Sequence, residues 1–185
     1  MIRFLSRKSY RRLLSSEGNS YARGAQITLI EETIGVHFDR QVQQNPNGLA
    51  LVVKHQKIHW SYQQLQSRVN IVANKLLSLG IQPGDRVGIW SPNNSEWTLT
   101  QFATAKMGAI LVNINPSYQR DELQYALNLV GCKALILAPS LKSTNYIEII
   151  QNLCPELSSS LSGDHFPNAT PSLFIYILRS LSSIT

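Results

Sequence analysis

Apolar positions along the chain follow two rhythms, and the changes from one to the other mark out its elements. Between residues 33 and 44 the apolar side chains Ile34, Phe38 and Val42 recur every four positions, which places them on one face of a helix. Thr33 is positioned to cap that helix and Asn45-Pro46 to end it. Residues 49–53 and 57–60 are short β-prone runs around Lys54-His55-Gln56, the pattern of a hairpin. Ser61-Tyr62-Gln63-Gln64 is a capping box, so a second helix starts there. Its stripe is Tyr62, Leu65, Val69, Val72, Ala73 and Leu76, with Arg68 and Lys75 in solvent and Gly80 supplying a left-handed end.

The stretch 81–118 organises the rest, because it reads as strand, crossover helix and strand. Gln82-Pro83-Gly84-Asp85 is a turn, proline presetting φ and glycine accepting the positive φ. Residues 86–90 then form a short apolar strand stopped by Pro92-Asn93-Asn94. Ser95 is placed to cap the next helix, Glu96 suits its positive first turn, and Trp97, Thr100, Gln101, Thr104 and Ala105 recur at helical spacing. Gly108 ends it, and residues 109–114 are a second apolar run halted by Asn115-Pro116. Continuous apolar runs, in place of alternation, predict strands covered on both faces and joined by a parallel crossover. Residues 120–130 repeat the helix, with Leu123, Ala126, Leu127 and Val130 inward; 134–137 add a third strand and 146–153 a last helix. The fold class expected is α/β, a parallel doubly wound sheet of three strands with flanking helices.

Charge changes this picture only at one end. The chain carries a formal +6, yet residues 1–23 hold six Arg or Lys against Glu17 alone, leaving 11 basic and 10 acidic residues beyond. In that segment Ile2, Leu5, Tyr10 and Leu13 oppose Arg3, Arg7, Lys8 and Arg11 on a helical wheel, the pattern of a mitochondrial transit peptide directing the protein to the matrix. A basic arm for RNA or anionic lipid is the alternative reading of the same charges. Nucleic acid is not expected as a partner of the rest, and no apolar run reaches the length of a membrane span. Cys132 and Cys154 are too few for a disulfide scaffold, and read as small buried hydrophobes.

Several of these residues also form ordered motifs. Trp60-Ser61-Tyr62 before a helix, Gly80-x-x-Pro83-Gly84-Asp85-Arg86-Val87, Ser91-Pro92-Asn93, Lys106-x-Gly108-Ala109 and Asn115-Pro116 resemble the opening of the AMP-forming ligases. That superfamily comprises acyl-CoA synthetases, luciferases and peptide-synthetase adenylation domains, and within it the resemblance is to the mitochondrial medium-chain acyl-CoA ligases. It runs from about Thr33 to Glu156. It implies an incomplete N-terminal portion of the large adenylate-forming domain, and a parent activity joining a fatty acid to CoA through an acyl-adenylate. ATP, Mg2+ and CoA are the implied cofactors and co-substrates.

The resemblance brings no active-site residue with it. The family's phosphate loop is rich in Ser, Thr and Gly and ends in Pro-Lys-Gly, whereas after Gly131 the sequence has only Gly163, and after Lys133 only Lys142. Catalytic, cofactor-binding and metal-ligating residues are therefore assigned to none of these positions. His55 and His59 lie on a hairpin without further ligands, short of what zinc requires. Ser91-Pro92-Asn93 sits at the carboxyl end of a parallel strand, where such sheets bind ligands, but ordinary turn chemistry explains it as well. Trp97 and Tyr118 read as packing aromatics.

Three regions result: a transit-like segment 1–23, a partial ligase domain 24–157, and a divergent end 158–185 in which eight residues are serine. That end reads as a loop with an added strand, or as an unrelated end from altered splicing or a misassigned exon. The expected product is itself non-catalytic, either a part of the ligase or a short interaction module for the full-length ligase or a chaperone. With only three strands, residues 24–185 are expected to lack a cooperative unfolding transition.

Overall fold

The computed structural model describes Gly24 and residues 28–155, 165–166 and 173–177. The transit-like segment and most of the divergent end lie outside the described residues. The chain divides into two units, Met1–Glu31 and Glu32–Thr185. Within the first, residues 28–31 form no helix or strand.

The second unit opens with helix α1, Ile34–Gln44, capped by the Thr33 hydroxyl on the Val36 amide at 3.2 Å. Strands β1, Leu49–Val53, and β2, Ile58–Ser61, pair antiparallel through a 3-10 turn at Lys54–Gln56 that closes with Lys57 at φ 55°. Helix α2, Tyr62–Ser78, begins with the predicted capping box: the Ser61 hydroxyl accepts from the Gln64 amide while the Gln64 side chain accepts from the Ser61 amide. Strand β3, Arg86–Trp90, helix α3, Ser95–Met107, and strand β4, Ile110–Asn113, make the crossover unit. Helix α4, Arg120–Val130, and strand β5, Ala134–Leu137, follow. Two short strands, β6 at Ser140–Leu141 and β7 at Thr144–Asn145, form a small antiparallel ladder before helix α5, Tyr146–Leu153.

The main sheet has five strands, not three. Its order is β4-β3-β5-β9-β8, where β8 is His165–Phe166 and β9 is Leu173–Ile177. Strand β9 pairs parallel to β5, Ala134 opposite Phe174, and β8 returns antiparallel along it. The divergent end thus contains an added strand, as one reading of it expects. Its five apolar residues gave a β signal, but nothing local said which edge they would join.

The sheet's two faces feed different layers because successive residues point to opposite sides. Val87, Ala134 and Ile136 pack with Leu76 and Ile81 on the side of α2. Trp90, Leu135 and Leu137 pack on the other face with Leu123 of α4 and Tyr146 and Ile150 of α5. A third cluster joins α1, α2, α3 and the hairpin through Phe38, Trp60, Val69, Leu99 and Ala103. Gly88 lies in close packing: a Cβ there would come within 3.0 Å of the Ile114 Cδ1 and 3.2 Å of the Leu135 Cδ1.

Helix α3 differs from its predicted stripe. Its buried positions are Ser95, Glu96, Leu99, Thr100, Ala103 and Thr104, while Gln101 faces solvent. Each buried threonine hydroxyl donates to a backbone carbonyl one turn back, Thr100 to Glu96 and Thr104 to Thr100, both at 2.8 Å. The polar groups are thus satisfied inside the helix itself, and a polar face can be buried.

Candidate functional site

The chain leaves β3 for β4 through α3 on one face, and leaves β5 for β9 through α5 on the other. Adjacent strands whose connections diverge leave a crevice at their carboxyl ends, the usual ligand position in doubly wound sheets. Three loops form its lips: residues 91–94 after β3, 115–118 after β4 and 138–140 after β5.

The first lip is a closed polar network. Buried Ser91 donates to the Pro92 carbonyl at 2.9 Å and accepts from the Asn94 side-chain amide at 2.9 Å. The Asn94 Oδ1 accepts from the Trp97 amide at 2.8 Å, so Asn94, not the predicted Ser95, caps α3. Both residue types make good caps; Asn94 takes the role because its extended backbone, ψ 179°, aims its oxygen at the third helical amide. Ser95 becomes the first helical residue. Its amide donates to the Gln56 Oε1 at 2.7 Å, and its hydroxyl donates to the Glu96 Oε2 at 2.9 Å. The same carboxylate oxygen accepts from the Gln56 Nε2 at 2.8 Å. Glu96 is 8% exposed, and at a helix N-terminus its charge lies where the helix dipole favours it. Asn93 alone of residues 91–94 is exposed.

The second lip is clamped from below. The Trp90 indole N–H donates to the Asn115 carbonyl at 3.1 Å, and the Tyr146 hydroxyl donates to the Pro116 carbonyl. The two rings stack with centroids 3.7 Å apart. Burial pushes the Tyr146 phenol up from its ordinary value, so it stays a hydrogen-bond donor. Asn115 folds its own loop, its Oδ1 accepting from the Ser117 amide at 2.9 Å. Tyr118 is half-buried against the cluster of α4 and α5, as a packing aromatic.

The remaining motif residues lie away from the crevice. Asp85 and Lys133 pair at 2.6 Å, with the Gln82 amide also on Asp85 and the Lys133 ammonium also on the Gly80 carbonyl. Arg86 reaches the Gly131 carbonyl at 3.2 Å. The Gly-x-x-Pro-Gly-Asp-Arg motif therefore ties the turn before β3 to the turn before β5. Lys106 donates to Asp39 at 2.7 Å and to Asn70 at 2.9 Å, and Gln66 joins Asp39 at 2.7 Å, a node linking α1, α2 and α3.

His55 and His59 are exposed on the hairpin, and among the described residues no three His, Cys, Asp or Glu side chains gather as a metal site. Cys132 and Cys154 are buried in the α4 and α5 cluster. Burial pushes the Cys132 thiol up to about 11, far from a nucleophilic thiolate at neutral pH. A polyphosphate needs cations and unengaged backbone amides. The lips, Ser-Pro-Asn-Asn, Asn-Pro-Ser-Tyr and Ala-Pro-Ser, carry no charge, and the amides of Ser95, Trp97 and Ser117 are taken by side chains. No nucleotide-handling step is assigned to these lips.

Fold and motifs together define part of the α/β N-terminal domain of the adenylate-forming ligases, and sequence comparison agrees. Residues 38–173 match the family described as AMP-binding enzyme, and the chain belongs to that family. It is 43% identical over 147 residues to the mitochondrial medium-chain acyl-CoA ligase of Bos taurus, covering 79% of this chain and 24% of that protein. The Homo sapiens counterpart is 39% identical over 165 residues, 88% of this chain and 27% of the relative. Among solved structures, a fatty acyl CoA synthetase of Mycobacterium tuberculosis superposes with a TM-score of 0.62 at 25% identity, over 77% of this chain and 26% of the other. The N-terminal domain of FACL13 from the same organism shares the fold with a TM-score of 0.63, over 78% and 34% of the two chains. The chain thus spans about a quarter of the length of the curated relatives it matches.

The sequence does not single out Gln56 or Tyr146, and it marks Glu96 only by its place in the first turn of α3, not by its bond to Gln56. Gln56 stands in a turn where any polar residue would serve, and its partners are 39 and 40 positions away.

Proposed function

We propose that this chain is the N-terminal part of an AMP-forming fatty acyl-CoA ligase, and that fatty acid, ATP and CoA are the substrates of the whole enzyme, with Mg2+ as its ion. The observation that carries the reading is the family match across residues 38–173, joined to 43% identity with a relative named as a medium-chain acyl-CoA ligase. Preference for medium-chain acids and residence in mitochondria rest on the relatives' names, and on the basic amphipathic pattern of residues 1–23. In this reading the residues described here are the scaffold: β3, β4 and β5 set the carboxyl-end lips, and activation of the carboxylate falls to other segments of the ligase. Purified alone, the 185 residues are expected to give no ATP–pyrophosphate exchange above background. The ligase reading is tested on the endogenous protein, captured from mitochondria with an antibody against α2 and weighed intact. The expected result is a species much heavier than 20.7 kDa that converts a medium-chain fatty acid to its CoA thioester. A captured species no heavier than 20.7 kDa and without that activity would overturn it.

A further inference from the structure

The β1–β2 hairpin forms a sheet of its own, without strand pairing to the main sheet. Its base is well held. The amides of Tyr62 and Gln63 donate to the carbonyls of Gly48 and Pro46, both at 3.0 Å, and Trp60 is buried in the helical cluster with the Arg68 guanidinium 4.5 Å over its ring. Its tip is held differently. Of residues 54–57, Lys54, His55 and Lys57 are exposed and Gln56 alone is half-buried. Gln56 uses both ends of its amide on the start of α3, accepting from the Ser95 amide at 2.7 Å and donating to the Glu96 carboxylate at 2.8 Å.

Those two residues directly follow the lip after β3, and the bonds of that lip run through Asn94, which binds Ser91 on one side and the Trp97 amide on the other. If Gln56 withdraws, the Ser95 amide loses its acceptor and buried Glu96 keeps only the Ser95 hydroxyl as a side-chain donor. A buried carboxylate short of donors is costly, so the first turn of α3 must shift or admit water. The Asn94 cap sits on that turn, and Ser91 is bonded to the cap.

We propose that the hairpin tip is a lever on the crevice: through Gln56, a displacement of the hairpin is transmitted to residues 91–94 and sets the position of the lip after β3. The lever is a property of the fold, and stands whether or not the ligase reading does.

Amide hydrogen exchange on the full chain, followed by NMR, tests it. In Gln56→Ala the Ser95 amide, and with it the Trp97 amide under the Asn94 cap, should exchange about tenfold faster or more. Gln56→Glu, which sets two carboxylates face to face, should accelerate both further. The double variant Gln56→Glu with Glu96→Gln reverses donor and acceptor across the pair and keeps an acceptor for the Ser95 amide, while the Ser95 hydroxyl turns from donating to the carboxylate to accepting from the new side-chain amide; it should restore both amides. Acceleration at Ser95 with Trp97 unchanged would reduce Gln56 to a local bond and overturn the proposal, as would failure of the double variant to restore. Should Gln56→Ala not fold, the unmodified chain decides. The amides of Lys57, Ser95 and Trp97 should open as one unit with a common denaturant dependence, and separate opening would overturn the lever.

Discussion

Asp85 illustrates how single residues of the family motifs act here. Burial raises its carboxyl, but hydrogen bonds from Lys133 and the Gln82 amide outweigh that and leave it below the ordinary 3.8. Asp39 follows the same balance, raised by burial and lowered further by Lys106 and Gln66. A carboxyl whose folded value is depressed binds its proton less readily than in the unfolded chain. Its stabilisation is therefore complete above 3.8 and is lost as pH falls through the lowered folded value. The urea midpoint should accordingly drop as pH falls through 3.8 and below, and Asp85→Asn should flatten that drop while costing on the order of 1 kcal/mol near neutrality. Gly88 carries a different constraint, since any Cβ meets buried methyl groups of Ile114 and Leu135 at 3.0 and 3.2 Å. Gly88→Ala should cost about 1–3 kcal/mol by overpacking, read from the shift in chemical-denaturation midpoint. A neutral result would mean those methyls can yield.

Among elements, α2 and α3 contrast. α2 announces itself by a capping box, an apolar stripe and a terminal glycine, all within its own residues, and it forms over Tyr62–Ser78 as expected. α3 is legible as a helix but not in orientation, because it buries threonines and a glutamate whose partners lie within the helix or on the hairpin. Its cap is the point at which it can be tested. Asn94→Ala removes the oxygen held by the Trp97 amide and the donor on Ser91, and should destabilise the chain by about 1–2 kcal/mol. Ser95→Ala should cost less at the cap, a ranking that thermal melts of the two variants would settle. The clamp on the second lip offers a parallel measurement. Tyr146→Phe keeps the stack on Trp90 but removes the bond to the Pro116 carbonyl, so a loss of about 0.5–1.5 kcal/mol is expected together with faster exchange at Tyr118.

For the whole molecule the decisive feature is β9. A three-strand sheet would leave β5, whose four residues are all buried, as a bare apolar edge, and on that basis residues 24–185 should not unfold cooperatively. The fourth parallel strand covers that edge and removes the basis of the expectation. The full chain should therefore melt in one transition. Removal of residues 158–185 should abolish that transition and promote aggregation, followed by circular dichroism and light scattering. An equally sharp melt of the shortened chain would mean that β9 adds nothing to the sheet's stability. The outer edge of β4, with Ile110 half-exposed, stays uncovered among the described strands.

The sequence by itself determined the helices and strands from α1 to β5 and α5, and the ends that a capping box or a glycine marks, though not the cap of α3 or the β6–β7 ladder. Ser61, Gly80, Gly84, Gly108 and Gly131 act on the backbone within a few residues of themselves, and the four glycines take the positive φ their positions require. It also determined the family, since ordered motifs survive without knowledge of what they touch. Tertiary structure alone decided the strand order β4-β3-β5-β9, the seat of the last strand, the Asp39–Lys106 node across 67 positions and the Gln56 bonds to α3 across 39 and 40. Those contacts depend on where the chain returns in space. Apolar periodicity gives the face a residue buries, but not the distant residue that will lie against it.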